Sequence, residues 1–123
     1  MVIDTNVFID FLRARDKTKT ALFRIRDDEQ LFISSVTLYE LLIGATTPEK
    51  VSDISLLTTG VSLLPFNEDV ARKAAEIYHR LRTENNMIDF RDIFIAATCM
   101  IYDHSLKTLN KKHFDRITGL RIN

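Results

Sequence analysis

Two periodicities alternate along this chain. Short apolar runs end abruptly at a polar residue, and each is followed by a stretch where apolar side chains return every third or fourth position. The first pattern is strand-like and the second is helix-like. Val2-Ile3 is a brief apolar run stopped by Asp4; Val7, Phe8, Phe11 and Leu12 then recur at helical spacing. Leu31-Phe32-Ile33 predicts a second strand, and Ser34-Ser35 is placed to cap a helix carrying Val36, Leu38, Leu41 and Leu42, with Gly44 near its end. Pro48 suits the first turn of a short helix over 48–58, which Gly60 breaks. Residues 61–65 form a third apolar run. Asn67 then caps a long amphipathic helix with Val70, Ala74, Ile77, Tyr78 and Leu81 on one stripe. Residues 93–101 are apolar almost all round, which predicts a buried helix; 105–109 and 120–122 predict the fourth and fifth strands. Strands alternating with helices imply an α/β fold, a parallel sheet covered on both faces and right-handed crossovers.

That topology gathers chemistry on one edge. In each strand–helix unit the carboxyl end of the strand and the amino end of the helix lie together, where open α/β sheets place their sites. Asp4 ends the first strand, Asp92 opens the buried helix and Asn110 follows the fourth strand. Glu40 lies about one turn into the second helix, roughly 6–8 Å from its start. Three carboxylates gathered there repel: two charges about 5 Å apart cost roughly 3 kcal/mol at an effective dielectric near 20. A hard divalent cation offsets this, and Mg²⁺ takes one or two carboxylates while keeping waters for a substrate phosphate. His79, His104 and His113 show no zinc-type spacing, so the pattern favours an oxygen-only Mg²⁺ or Mn²⁺ site.

Plainer roles exist for the same residues. Asp4 can simply cap the first helix, and Glu40 can be a surface helix residue. Asp89 and Asp92, three apart before an apolar run, resemble a capping box, with Asp89 the cap and Asp92 its reciprocal partner. Thr108 can be an ordinary strand residue; Asp10 and Asp103 read as surface acids, Cys99 and Met100 as core.

Composition narrows the setting more than the chemistry. The 123 residues are the size of one domain, and 46% hydrophobic with 28% charged residues allows a core. No apolar run reaches the roughly 18–20 residues of a membrane span, and no signal sequence opens the chain. The lone Cys99 cannot form an internal disulfide, which fits a reducing cytoplasm. Charges balance at 17 of each sign, so net charge does not argue for nucleic acid. Their distribution says more: Arg13, Arg15, Lys17, Lys19, Arg24 and Arg26 face only Asp16 before the acidic run 27–29. Such a segment is either a solvated face or a phosphate-contacting rim.

Four stretches, VIDTNVFIDFL at 2–12, ISSVTLYELLIGA at 33–45, MIDFRDIFIAATCM at 87–100 and LKTLNKKHFDRITGLRI at 106–122, resemble in order and spacing a PIN domain, particularly the VapC-type toxins of toxin–antitoxin pairs. The resemblance covers nearly the whole chain. It implies a three-layer sandwich with a five-stranded parallel sheet in the order 3-2-1-4-5, and an Mg²⁺- or Mn²⁺-dependent endoribonuclease. Asp4, Glu40 and Asp92 fall on the family's three acids. Asn110 falls on a fourth position that is Asp in many relatives; its neutral oxygen weakens a second metal site, and Asp89 offers charge in compensation. Thr5 and Thr108 match positions that orient the acids. Arg13, Arg15, Arg91, Lys111 and Lys112 are the expected grips on RNA phosphates.

The resemblance also implies an antitoxin partner and a homodimer. Val51, Ile54, Leu56 and Leu57 of the 48–58 helix, with Phe11 and Leu12, offer an apolar groove for an amphipathic segment, or else complete the domain's own core. Two other readings share the fold: a PIN nuclease outside any toxin pair, and a PIN module that binds RNA or a partner without cutting. A phosphoacceptor receiver domain is disfavoured, because the first strand ends in a lone Asp and the third in Pro65-Phe66-Asn67.

Overall fold

The computed structural model describes residues 1–123. Four strands, β1 (Val2–Ile3), β2 (Phe32–Ser34), β3 (Ser62–Leu64) and β4 (Leu106–Lys107), pair in parallel in the order β3-β2-β1-β4. Val2 faces Phe32 on one side and Leu106 on the other. The expected fifth strand shrinks to one parallel bridge between Ile122 and Leu106. That bridge lies on the outer side of β4, so the order 3-2-1-4-5 holds with its last place marked by a single pair.

Six helices connect and cover the strands: α1 (Thr5–Arg13), α2 (Ser35–Ile43), α3 (Pro48–Leu57), α4 (Glu68–Thr83), α5 (Phe90–Ile101) and the short α6 (Lys111–Phe114). Five begin at a side-chain cap. Asp4, Ser34, Thr47, Asn67 and Asp89 each hold extended backbone and accept a hydrogen bond from an N–H of the first turn. The Asp89 cap accepts from the Arg91 N–H; the Asp92 carboxylate makes no reciprocal bond and turns elsewhere. The capping-box expectation thus holds for its first residue only.

Because strand side chains alternate, the two residues of β1 feed two cores. Val2 joins Leu64, Leu106, Val70, Ala74, Ile77, Leu81 and the buried face of α5; Ile3 joins Val7, Phe8, Ile33, Leu41 and Ile54. Both are 0% exposed. Sandwiching β1 this way fixes where Asp4 emerges.

Some apolar residues do not follow the expected stripes. Tyr78 is 38% exposed, its hydroxyl accepting from Arg82. On α3, Ile54 completes the core and Leu57 packs against it, whereas Val51 and Leu56 stay exposed. Phe11 and Leu12 line different grooves, Phe11 with Leu57 and Leu12 with Ile54, so the single expected groove is divided in two. No helix is long and apolar enough to cross a membrane.

Candidate active site

Asp4 leaves the end of β1 directly beneath the segment that follows β4. Its side chain is almost completely buried, with Oδ1 accepting from the Thr5 N–H at 2.8 Å and Oδ2 from the Thr108 hydroxyl at 2.7 Å. Burial pushes its pKa up to about 6; the Thr108 and Thr5 hydrogen bonds oppose this, and the charges of Asp92 and Glu40 add to it. Thr108 is therefore no ordinary strand residue. Its oxygen also accepts from the Asn110 N–H at 3.0 Å and lies 3.5 Å from Asn6 Nδ2. Asn6 Oδ1 accepts from the Leu109 N–H at 3.2 Å, stapling this segment to α1.

Thr108→Val removes the hydroxyl donor and leaves a methyl against the carboxylate. The Asp4 pKa is expected to rise by about one further unit, the worth of one hydrogen bond to a charged group. A carboxyl NMR titration reads this directly, and an unchanged Asp4 titration would show that the bond carries no weight.

Glu40 is half-buried. Its Oε1 accepts from Thr5 Oγ1 at 3.0 Å. Thr5 Oγ1 lies 3.1 Å from Thr37 Oγ1, which accepts from Ser34 Oγ at 3.1 Å; Ser34 Oγ accepts from the Thr37 N–H. Each hydroxyl has one proton, so the set is satisfied when Ser34 donates to Thr37, Thr37 to Thr5, and Thr5 to the carboxylate. The adjacent pair Asp4-Thr5 thus addresses both acids, one by its own carboxylate and the other by a hydroxyl.

Asp92 sits in the first turn of α5, half-buried, with Oδ2 3.4 Å from His113 Nδ1. Burial raises its pKa; the His113 hydrogen bond opposes the rise, and the Asp89 charge adds to it. Asn110 Nδ2 stands 2.7 Å from the same His113 nitrogen. Asn110 therefore lies within two hydrogen-bond lengths of Asp92 and, through its backbone and Thr108, of Asp4.

Arg91 is already engaged. Its Nε and Nη2 donate to the two oxygens of Asp89 at 3.0 and 3.2 Å, and Nη1 lies 3.6 Å from Glu40 Oε2. The Arg91 hydrogen bonds hold the Asp89 carboxyl below the usual carboxylate range. Asp89 serves as helix cap and as seat for Arg91, not as a spare acid at the centre. Arg13, exposed at the end of α1, lines a groove of about 380 Å³ between α1, α2 and α3 that also contains Glu40. Arg15 lies exposed beyond it, and Lys111 and Lys112 are exposed on α6 just after Asn110.

No three His, Cys, Asp or Glu side chains close tightly on one point. The donors present are nonetheless carboxylate oxygens with one amide, the set that Mg²⁺ and Mn²⁺ take. Mg²⁺ binds through one or two carboxylates and fills its remaining positions with water, so it does not need a closed cage. On donor chemistry the residues fit such an ion. Asn6, Ser34, Thr37 and His113 belong to the site but were not singled out for it by the sequence; Asn6 adjoins Asp4-Thr5, and His113 stands three residues after Asn110.

Comparison with known proteins agrees with this geometry. The PIN domain family profile matches residues 1–120. Ribonuclease VapC10 of Mycobacterium tuberculosis is 33% identical over 121 residues, covering 98% of this chain and 90% of its own. Ribonuclease VapC of Rickettsia bellii is 31% identical over 132 residues, covering 99% and 93%. The solved VapBC-1 structure from nontypeable Haemophilus influenzae aligns with a TM-score of 0.85 at 28% identity, over 99% of this chain and 95% of that one. With its sheet order, its acids on the carboxyl edge and a profile match over nearly its whole length, this chain belongs to the PIN-domain family.

Proposed function

We propose that this protein is an endoribonuclease that hydrolyses RNA phosphodiester bonds with Mg²⁺ or Mn²⁺ held by Asp4, Glu40 and Asp92. One observation carries the reading. Asp4 is buried beside two further acids, its pKa is raised to about 6, and yet its two oxygens are held in fixed directions by Thr5 and Thr108. A fold that merely needed a helix cap has no use for a strained carboxyl cluster. A cation-binding site does.

Bound there, a divalent ion supplies an activated water and stabilises the leaving oxygen. The chain's own residues supply the frame. Asp4 is held by Thr5 and Thr108, Asp92 meets His113, and the Thr5 hydroxyl holds Glu40. Asn110 takes a supporting position, its neutral amide adding no charge. Arg91, seated on Asp89 and 3.6 Å from Glu40, stands beside the site where it could meet a phosphate. The test is cleavage of RNA in Mg²⁺ with mapping of product ends. No cleavage by the wild-type chain in either Mg²⁺ or Mn²⁺ overturns the assignment.

The relatives named ribonuclease VapC, and the solved VapBC complex, support a further step: the chain is the toxin of a two-protein pair restrained by an antitoxin. The groove between α1, α2 and α3 suits such a partner. Ile9, Leu12, Ala45 and Ile54 give it an apolar floor, Arg13, Lys50 and Asp53 give it a polar rim, and Glu40 joins it to the acids. A homodimer is part of the same proposal, and light scattering of the isolated chain tests it.

Substrate grip is assigned to Arg13, Arg15, Lys111 and Lys112, all exposed, with Arg13 lining the groove that contains Glu40. In EDTA, where RNA is bound but uncut, Arg13→Ala with Arg15→Ala is expected to weaken RNA binding. The slope of log affinity against log salt should fall by about one to two. An unaltered slope removes these residues from the interface.

A further inference from the structure

Each of the three acids has a partner that holds it. Asp4 is fixed by Thr108 and the Thr5 N–H, and Glu40 by the Thr5 hydroxyl. The only side chain within hydrogen-bonding reach of the Asp92 carboxylate is His113 of α6. The same nitrogen, Nδ1, also meets Asn110. We propose that His113 is a positioning residue: its imidazole carries a proton on Nδ1 and shares it between the Asp92 carboxylate and the Asn110 side chain, tying the third acid to the fourth position. This rests on the metal-nuclease reading above.

The argument is one of valence. One imidazole nitrogen presents either a proton or a lone pair, never both. A lone pair would accept from Asn110 but would face the Asp92 carboxylate with nothing between them. A proton satisfies both contacts once the Asn110 amide presents its oxygen, and amide oxygen and nitrogen are alike in shape and exchanged by a half-turn. The contacts of 2.7 and 3.4 Å then become the two branches of one shared N–H. The consequence is mechanical. Asp92 stands on α5 and Asn110 on the segment after β4, and no other side chain joins Asp92 to that segment. His113 sets the distance between them, and partners that orient metal-binding groups typically govern affinity by about 10- to 100-fold.

His113 is part-exposed, so its variants should fold, which circular dichroism and a thermal melt check. Mn²⁺ binding by electron paramagnetic resonance is then titrated for wild type, His113→Ala and His113→Asn; the Asn amide places an N–H close to where Nδ1 stood. Wild type should bind Mn²⁺, His113→Ala about 10-fold or more weakly, and His113→Asn within about 3-fold of wild type. Equal affinity in wild type and His113→Ala overturns the proposal, as does an Asn variant no better than Ala. Nitrogen-15 NMR of the ring at pH 8 should show Nδ1 protonated, and a ring with Nδ1 bare and its proton on Nε2 overturns the proposal whether or not metal binds. Absence of Mn²⁺ binding by the wild type, with Nδ1 protonated, instead marks failure of the metal reading and leaves His113 as a structural tie.

Discussion

Asp4→Asn is expected to lower RNA cleavage by roughly three orders of magnitude, more than any change outside the acid cluster, because it removes the most buried charge available to an ion. The same variant should make the metal-free protein more stable, and the sign follows from the pKa. The folded carboxyl titrates at about 6 against 3.8 for the ordinary group, so the folded state holds its proton more tightly. Between these values the folded state binds more protons than the unfolded chain, and stability falls as pH rises. Above about pH 6 the penalty is complete, on the order of 3 kcal/mol. Asn carries no charge, so at pH 7.5 and without metal it should melt several degrees higher than wild type, and at pH 4 the gain should vanish. Its amide can accept from the Thr5 N–H and donate to Thr108, displacing the long contact from Asn6. Cleavage assays and paired melts in EDTA check both halves. A variant that cuts RNA at the wild-type rate removes Asp4 from the chemistry.

Metal removal is the second large effect. EDTA should abolish cleavage, and added Mn²⁺ or Mg²⁺ should restore it. Because an ion and a proton compete for Asp4, metal should raise the melting temperature more at pH 7.5 than at pH 5. At a hundredfold excess over its dissociation constant an ion contributes about 2.7 kcal/mol, a shift of several degrees for a chain of this size. Cleavage that persists in EDTA, with no metal-dependent shift in the melt, would falsify the assignment.

Much of this was legible before any coordinates. Val2-Ile3 stopped by Asp4, the polar cap before α2 and the Asp-Phe-Arg-Asp start of α5 are local signals, and parallel topology alone brings their polar ends to one edge. The groups that hold the acids were less legible, because their partners are remote in sequence. Thr108 is 104 positions from Asp4, and Asn6 is 103 from Leu109. Nothing local distinguishes a threonine that aims at a carboxylate from one that fills a strand. Ser34 was readable as a cap, but its place behind Thr37 and Thr5 depends on how β2 and α1 meet. Arg91 looked like a free cation beside Asp92; only the fold shows it seated on Asp89 and leaning on Glu40. The fifth strand is shorter than expected for a simpler reason: an edge segment needs just one neighbour, and Ile122 satisfies that with a single bridge.

The central strand has consequences beyond geometry. β1 is two residues long, yet it is paired on one side with β2 and on the other with β4, which lies at the far end of the chain. The Asp4 N–H is itself bonded to the Lys107 carbonyl. Asp4 is synthesised 104 positions ahead of Thr108. Until that later segment emerges, the first acid has neither its backbone neighbour nor its hydroxyl donor, and the third acid lacks His113. Closing so long a loop is slow as well as late. A nascent chain that stops short of Thr108 and His113 should therefore lack an assembled acid site, with Asp4 and Asp92 both missing their side-chain partners.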